Sequence, residues 1–452
     1  MTAATSPLLT DLYELAMLQA YLEHGETGTA VFEFFVRRLP PRRGFLVAAG
    51  LEQALEYLGS LRFAPDEIDW LAGTGRFGRR LLDHLAGFRF TGDVHAVPEG
   101  RVVFPDEPIL RVTAPIPEAQ FVETRLINIL HFQTVIASKA ARMVLAAGGR
   151  RLVDFGLRRA HGAEAGLLAA RASYLAGFAG TATVLAERAF GIPTTGTMAH
   201  SFVAAFDRES TAFERFALAC PRNLTLLIDT YDTEAAARKV VRLAPRLAAK
   251  GVRVQAVRLD SGDLVALACS VRRILDAGGL ADVAIFASGG LDEDAIAGIV
   301  AAGAPIDGFG VGTSLATSAD APALDCAYKL QEYAGLPRRK RSSGKATWPG
   351  RKQVWRRYDA EGRMAGDILS VEADSHAGEP LLVPVMRAGR RLAAAPTLAD
   401  IRARAARDLD RLPPGLRSLD PQAPYPVTVA EPLRQLAAAV DRRLAETEEP
   451  MP

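Results

Sequence analysis

The chain has 452 residues, and its 54 lysines and arginines nearly balance its 52 aspartates and glutamates. This balance provides no overall field that would attract nucleic acid or an anionic membrane, so any partner must be inferred from local sites. The length exceeds that of a usual single domain and predicts a main α/β unit with a second domain built around it.

The cysteines indicate a reducing compartment. Cys220, Cys269 and Cys326 are scattered and show no CxxC spacing, which argues against a disulfide framework and against a zinc site. The sequence has no apolar run of about 18 residues and no basic segment followed by an apolar one at its start. We therefore expect a soluble cytoplasmic protein that does not contact a membrane and has no metal site built from its own side chains.

Residues 1–130 predict a small domain that contains both helix and strands. Residues 10–25 have the apolar spacing of a helix, for which Thr10 is the candidate N-cap and Gly25 the stop. We expect segments of the C-terminal part to complete this domain. The strand-like runs are 30–38, 45–50 and 97–112.

Residues 131–333 are the predicted α/β barrel catalytic domain. Between Arg151 and Thr313 this segment repeats one pattern, in which a short apolar run ends in a turn rich in glycine, hydroxyl groups, arginine and aspartate, and a helical pattern follows. In parallel α/β folds the side chains at strand C-termini converge on the ligand, so six such turns predict one active site. Fewer than eight strands are evident, which predicts an irregular (β/α) barrel. The six runs are 151–162, 193–202, 224–233, 254–263, 283–290 and 307–314.

Residues 334–452 form a C-terminal segment that we expect to pack on the N-terminal domain and on the barrel. The run 336–345 is basic, but no aromatic residue is interleaved before Trp348. This pattern favours a solvated loop or a phosphate-facing rim over a nucleic-acid site.

Two consecutive glycine-rich turns follow apolar strands at the end of the predicted barrel. In such barrels the loops after the last strands commonly bind phosphate, because backbone N–H groups at helix N-termini face the anion. The alternative is that they are only tight turns. The candidate phosphate-binding residues are Ser288, Gly289, Gly290, Gly310, Gly312 and Thr313.

Arg258 and Asp260 stand at alternate positions of one predicted strand, so both side chains point to the same face. At a barrel mouth the cation suits an anionic substrate, and the carboxylate suits a metal or a developing positive charge. The alternative is a salt bridge, with Ser261 capping the next helix.

A further turn carries Phe155, Arg158 and Arg159. The ring can stack on a planar ligand, and one of the arginines can meet a carboxylate or phosphate, whereas a structural reading places the ring in the core and one arginine in a surface ion pair. His200 follows another predicted strand, and its position alone does not distinguish a structural role from a catalytic one.

Seven motifs, in order and covering most of the chain together with the basic segment 340–356, resemble nicotinate phosphoribosyltransferase. The resemblance implies an irregular barrel of the type II phosphoribosyltransferase kind with a second, mixed α+β domain, and a homodimer whose active sites are shared between subunits. The implied reaction condenses nicotinate with 5-phosphoribosyl 1-pyrophosphate to nicotinate mononucleotide and pyrophosphate, coupled to ATP hydrolysis and assisted by Mg²⁺, in NAD salvage. The motifs are TDLYELAM (10–17), VDFGLRRAHG (153–162), GTMAHSFV (196–203), IDTYDT (228–233), VRLDSGDL (257–264), ASGGLDE (287–293) and GVGTSL (310–315).

The same resemblance implies roles for individual residues. Tyr13 of the partner subunit and Phe155 would stack on either face of the pyridine ring, and His200 would be phosphorylated. Asp260 would lie near the ribose, and the two glycine-rich turns would bind the phosphates. The residues expected to hold the carboxylate and the ribose are Arg158, Thr197 and Arg258.

Two alternatives are weighed on single residues. The nicotinamide-using branch of this fold has GTDT, whose aspartate receives the amide, whereas this chain has GTAT with Ala182 at that position. A sugar-phosphate aldolase or isomerase on a regular barrel needs a Schiff-base lysine or a catalytic carboxylate pair at strand ends, and no lysine stands in such a turn among Lys139, Lys239, Lys250 and Lys329. We therefore expect nicotinate as the substrate.

Overall fold

The computed structural model describes residues 6–421 and 423–447. The chain divides into two compact units, one made of Met1–Ser138 and Ala323–Pro452 and the other of Lys139–Pro322. Within the described part, no helix has both the length and the apolar character needed to cross a membrane.

Seventeen α-helices occur in the described residues, and a 3-10 turn covers Leu157–Arg159. Their bounds are α1 Leu12–His24, α2 Leu51–Ser60, α3 Pro65–Gly73, α4 Arg79–Ala86, α5 Ile116–Phe121, α6 Glu123–Ala147, α7 Ala163–Ala176, α8 Val184–Phe190, α9 His200–Ala204, α10 Glu209–Ala219, α11 Thr233–Ala248, α12 Leu264–Ala277, α13 Glu293–Ala301, α14 Thr313–Ala316, α15 Leu398–Asp410, α16 Pro414–Arg417 and α17 Glu431–Thr447.

Nineteen strands occur in the same residues. Their bounds are β1 Thr29–Val36, β2 Leu46–Val47, β3 Asp93–Ala96, β4 Val102–Val103, β5 Pro108–Pro115, β6 Arg151–Asp154, β7 Gly180–Thr181, β8 Thr225–Leu227, β9 Ala256–Leu259, β10 Ala284–Ser288, β11 Gly308–Val311, β12 Cys326–Tyr333, β13 Leu336–Pro337, β14 Lys352–Tyr358, β15 Met364–Val371, β16 Glu379–Pro380, β17 Val383–Arg387, β18 Arg390–Arg391 and β19 Val427–Val429.

The first unit contains a seven-stranded sheet with the order β13-β12-β1-β5-β3-β17-β18. Strand β1 is antiparallel to both β5 and β12, and seven of its eight residues are buried, as its apolar sequence requires. Phe32 of β1 stacks on Tyr328 of β12 with ring centroids 4.9 Å apart. Because β12 pairs with β1, the segment 326–333 belongs to the first unit, whereas the sequence led us to place the boundary after 333.

The second unit is built on a six-stranded parallel sheet with the order β7-β6-β11-β10-β9-β8. Helices α11, α12 and α13 connect the consecutive strands β8 to β11, as the alternating pattern predicts. The sheet has two edges and six strands, so the expected irregular barrel is an incomplete one. Its strands are short, with two to five residues each.

Three local predictions are wrong. Asp11, not Thr10, is the N-cap residue of α1. Residues 193–202 form no strand beyond a single bridge from Thr194, and the sixth strand of the sheet is β7. Asp263 rather than Ser261 caps α12, because its carboxylate accepts two backbone N–H bonds of the first turn.

Candidate active site

A cavity of about 360 Å³ lies in the second unit, where the C-terminal ends of β6, β8 and β9 meet. Strands of a parallel sheet end at the same edge, so their terminal side chains face one space. Six predicted site residues line the cavity, together with Ala182 and Leu227. The six are Phe155, Arg158, Thr197, His200, Arg258 and Asp260.

Arg258 is the centre of the site's hydrogen-bond network. Its Nε donates to Ser288 Oγ at 2.8 Å, and its Nη1 donates to Thr197 Oγ1 at 2.9 Å. Its Nη2 donates to Asp260 Oδ1, also at 2.8 Å. Each guanidinium carries five N–H donors, so about two remain to meet a ligand after these three bonds. The side chain is thus fixed in place, and its remaining N–H groups are available to a ligand.

Asp260 is held as a carboxylate. Burial alone would raise its pKa, but hydrogen bonds from Arg258 and Ser288 and the charges of Arg258 and His200 outweigh burial and leave the pKa below its ordinary value. Its Oδ1 accepts from both Arg258 and Ser288. The predicted salt bridge therefore exists, and it also delivers an ionised oxygen to the cavity.

Asp229 is a member of the site that the sequence reasoning did not assign. Its Oδ2 accepts from the backbone N–H of Asp260 at 2.9 Å and from Ser261 Oγ at 2.6 Å. Its Oδ1 is buried and has no hydrogen-bond partner among the residues that the structure describes. A buried acceptor without a protein partner is costly in a folded protein, so this oxygen is available to a water or a ligand. The sequence feature that could have identified Asp229 is its position shortly after the end of β8.

His200 begins the short helix α9 and faces Asp260. Its Nδ1 lies 3.2 Å from Thr230 Oγ1, and its Nε2 lies 3.8 Å from Asp260 Oδ2. The contact with Thr230 orients the ring, and the side chain remains partly exposed. The imidazole is thus presented to the cavity rather than to the core.

Phe155 forms one wall of the cavity. Its ring lies under the Arg258 guanidinium, with Cζ 5.5 Å from the ring centroid, and a second ring, Phe286, lies 6.0 Å away. Arg158 lines the same cavity, whereas Arg159 is exposed and lies outside the cavity lining. The structure therefore brings the aromatic residue and one arginine of this turn to the site.

Asp154 holds that turn in place through two hydrogen bonds, and the sequence reasoning did not assign it to the site either. Its carboxylate accepts from the backbone N–H of Gly156 and from Thr181 Oγ1, both at 2.7 Å. Burial raises its pKa, although both hydrogen bonds oppose that effect. The residue ties β6 to β7 and so fixes where Phe155 stands.

The two glycine-rich turns are neighbours. Strand register pairs Ser288 with Gly310, which places the turns that follow β10 and β11 side by side. Gly289 has φ +96°, and a Cβ there would lie 2.0 Å from the Asp260 carbonyl oxygen, so only glycine fits. The second turn leads through Gly312 into α14. Adjacent backbone N–H groups at two strand ends are the arrangement that phosphates occupy in barrels of this kind.

Tyr13 is in the first unit, on α1, and is partly exposed. The other predicted site residues all belong to the second unit. Among the residues within 6–421 and 423–447, no group of three or more His, Cys, Asp or Glu side chains is arranged to hold a metal ion.

Comparison with known proteins identifies the family. The nicotinate phosphoribosyltransferase N-terminal domain matches residues 8–131, the nicotinate phosphoribosyltransferase family matches residues 150–334, and the C-terminal domain of these enzymes matches residues 372–437. A nicotinate phosphoribosyltransferase of Mycobacterium tuberculosis is 54% identical over 426 residues, which are 94% of this chain and 91% of that protein.

Human relatives agree in sequence and in structure. The human nicotinate phosphoribosyltransferase is 32% identical over 518 aligned positions, which cover 96% of each chain. The crystal structure of human nicotinic acid phosphoribosyltransferase matches with a TM-score of 0.85 and 30% identity, covering 96% of this chain and 99% of that one. The resemblance inferred from the motifs is confirmed, and the chain belongs to the nicotinate phosphoribosyltransferase family of enzymes.

Proposed function

We propose that this chain, as a cytoplasmic homodimer, condenses nicotinate with 5-phosphoribosyl 1-pyrophosphate to nicotinate mononucleotide and pyrophosphate in NAD salvage. The pyridine nitrogen forms a bond to C1 of the ribose as the bond from C1 to the pyrophosphate oxygen breaks. The observation that carries the proposal is Arg258, a fixed cation with free donors above the Phe155 ring.

Nicotinate is a flat ring with a carboxylate, and the cavity offers a partner for each part. Phe155 supplies an apolar face, and Arg258 and Arg158 supply positive charge at the cavity wall. Ala182 also lines the cavity. Because alanine has no carboxylate, this position does not repel an anionic substrate. A neutral amide gains less from this charge than a carboxylate does, so the site favours nicotinate over nicotinamide.

The ribose ring gains positive charge as pyrophosphate leaves. The pyridine nitrogen has a lone pair and needs no general base, so the protein's task is to orient the ring and to stabilise charge. The Asp260 carboxylate is ionised and lies at the cavity wall, where it opposes that developing charge. The turns after β10 and β11 would bind the phosphate groups.

Mg²⁺, when bound, neutralises the pyrophosphate as it departs. This ion usually binds through one or two carboxylates together with substrate phosphates. The unpartnered Asp229 Oδ1 and the nearby Asp260 carboxylate fit that requirement. These two residues would therefore hold the ion, with most of the remaining oxygens coming from the substrate.

His200 is the proposed site of phosphorylation by ATP. A neutral imidazole is a nucleophile, and transfer of the γ-phosphoryl group to a ring nitrogen would release ADP. The ring already faces the cavity through its contact with Thr230. Hydrolysis of this phosphohistidine would couple ATP consumption to the transfer.

Exposed apolar side chains support the homodimer with shared sites. In the second unit, Leu157 lines the cavity mouth, and Val184 and Leu185 follow Ala182 closely, with Val184 77% exposed. In the first unit, Leu12 and Tyr13 expose apolar surface on α1. Exposed apolar groups next to a ligand site are typical of protein contacts. Tyr13 of a second copy would then close the cavity over the pyridine ring.

A Schiff-base enzyme on the same sheet is disfavoured by where the lysines lie. Lys139 is inside α6, Lys239 is inside α11, and Lys250 follows α11, while Lys329 belongs to β12 of the other unit. All four are away from the strand ends that form the cavity, where such a lysine is required.

The test is a steady-state assay with 5-phosphoribosyl 1-pyrophosphate, Mg²⁺ and ATP, offering nicotinate, nicotinamide or quinolinate in turn. We expect nicotinate mononucleotide as the main product, and Arg258→Lys should raise KM for nicotinate by about tenfold or more, because lysine cannot reproduce the forked contact. Arg238→Lys on the exposed face of α11 is the matched control and should behave as wild type. Preferential use of nicotinamide or quinolinate would refute the assignment.

A further inference from the structure

A buried charge cluster joins α6 to the segments that follow both glycine-rich turns. Lys139 Nζ lies 2.5 Å from Glu293 Oε2 and 2.8 Å from Asp320 Oδ1. Arg142, one helical turn further along α6, contacts Glu293 Oε1 through its Nε at 3.1 Å. The side chains of Lys139, Arg142 and Glu293 are all buried, and Asp320 is 30% exposed.

The two carboxylates belong to different turns. Glu293 is the first residue of α13 and follows Gly290 by three positions. Asp320 lies shortly after α14, the helix that the second turn enters at Thr313. One ammonium group therefore contacts the first residue of the helix after the first turn and a residue just beyond the helix after the second turn, and it links these two segments.

Strand pairing alone does not fix the turns. The register between β10 and β11 ends at Ser288 and Gly310, so the residues beyond these points need other contacts to hold them. Groups that bind a ligand must be held to within about 0.5 Å by supporting contacts. A buried ion pair is costly to separate, because either charge left alone in the interior has no substitute for water. The lysine therefore resists a change in the separation of its two carboxylates, most strongly on the side of Glu293, because Asp320 is partly exposed to water.

Lys139 does not contact the cavity in which we propose that the reaction occurs. Its side chain is 2% exposed and is paired on two sides by carboxylates, and it does not line the cavity. Removing it would leave the buried cluster short of one positive charge. The segments after the two turns would then lose the contact that this ammonium group makes with both of them.

We propose that Lys139 is a positioning residue that holds the two glycine-rich turns at a fixed separation and thereby sets the affinity for the phosphoribosyl substrate. The inference rests on the proposed function, because it takes these turns to be the phosphate-binding elements. It adds a residue on a distant helix, and a linkage between the turns, to the binding machinery.

Lys139→Met and Asp320→Asn are the test variants. The first removes the ammonium group from both of its contacts, and the second neutralises the carboxylate beyond α14 while leaving the buried pair of Lys139 and Glu293. Lys239→Met is the matched control, since Lys239 also pairs with a buried glutamate, Glu209, at 2.7 Å, but between α10 and α11. Each protein is examined for KM of both substrates and for ligand-free hydrogen exchange.

We expect both test variants to raise KM for 5-phosphoribosyl 1-pyrophosphate by about tenfold while KM for nicotinate changes by less than about twofold, because a misplaced phosphate turn weakens one substrate only. Exchange should rise in both turns of Lys139→Met and in neither turn of Lys239→Met. If Lys139→Met fails to fold, Asp320→Asn carries the test.

Equal effects on both substrates, or effects no larger than those of Lys239→Met, would overturn the role of Lys139. Unchanged exchange in the turns of Lys139→Met would overturn it as well, whatever the activity. The wild-type protein shows whether the proposed function itself fails. In that case it would show no saturable use of 5-phosphoribosyl 1-pyrophosphate, whereas hydrogen exchange would still report the linkage between the turns.

Discussion

The ring of Phe155 lies directly against the backbone of Gly310. A Cβ built on Gly310 would stand 2.4 Å from Phe155 Cε2, a distance that no real side chain adopts. The glycine of the second turn therefore has a structural role besides phosphate approach, because it makes room for the aromatic wall of the cavity.

This contact predicts that Gly310→Ala displaces the ring. We expect KM for nicotinate to rise by about tenfold and the free energy of unfolding to fall by about 1–3 kcal/mol, the usual cost of overpacking a filled space. Gly298→Ala in α13 is the control, since a Cβ there meets nothing within 4 Å and alanine favours helix. Unchanged nicotinate kinetics in Gly310→Ala would show that the ring is not a wall of the binding site.

Ala182→Asp tests the basis of substrate choice. An aspartate carboxylate in the cavity would repel nicotinate, so kcat/KM for nicotinate should fall by about tenfold or more relative to nicotinamide. Ala182→Asn has nearly the same size without the charge and should shift the ratio much less. Similar ratios for the two variants would mean that volume rather than charge at this position selects the substrate.

His200→Ala should keep the fold, because a partly exposed residue at the start of a five-residue helix contributes little packing. We expect it to lose ATP hydrolysis coupled to transfer while retaining slow uncoupled transfer. The measurement is intact mass after incubation with ATP, with analysis for acid-labile phosphate. His161→Ala, at an exposed position, is the control. Phosphate that persists without His200, or never appears in wild type, would contradict the coupling mechanism.

The shared active site is tested by mixing inactive subunits. Tyr13→Ala and Asp260→Ala proteins, refolded together, should recover about a quarter of wild-type activity, because a mixed dimer has one site without either defect. Mixing Arg258→Ala with Asp260→Ala should recover none, since each subunit then carries a defective cavity. Equal outcomes for the two mixtures would argue against a contribution of Tyr13 to the partner's site.

Glu14 predicts a pH dependence of stability. Burial raises its pKa to about 7, with a further rise from Glu123 and a partial offset from its hydrogen bond to Gln120. Because the folded-state pKa lies above the ordinary 4.5, the stabilisation is complete below about pH 4.5 and is lost as the pH rises through about 7.

Urea unfolding between pH 4.5 and 8 measures this effect. The wild-type free energy of unfolding should fall by up to about 1.4 kcal/mol per pH unit in that window from this one group. Glu14→Gln should remove that contribution and be the more stable protein above pH 7, whereas the exposed Glu56→Gln should follow wild type. Parallel pH profiles for wild type and Glu14→Gln would refute the assignment.

Short-range pattern was enough to predict most of the parallel sheet. An apolar run followed by a polar turn is a local feature, so five of the six runs coincide with strands β6, β8, β9, β10 and β11. The run at 193–202 misled because its threonines have β propensity, while the strand that extends the sheet is β7, only two residues long. A strand of that length leaves almost no periodicity to read.

Local spacing also placed Arg258 and Asp260 on one face, because alternation is a property of any strand. The motifs and their order were enough to predict the family, as the comparisons confirm.

Only the tertiary structure decided which residues meet across long stretches of chain. Asp229 reaches the backbone of Asp260, and Lys139 contacts Glu293 and Asp320, which are separated from it by more than a hundred residues. Likewise β12, at residues 326–333, pairs with β1, at residues 29–36. Such contacts depend on how the helices and strands pack. The composition and periodicity of the sequence around a residue do not identify a partner that only folding brings next to it.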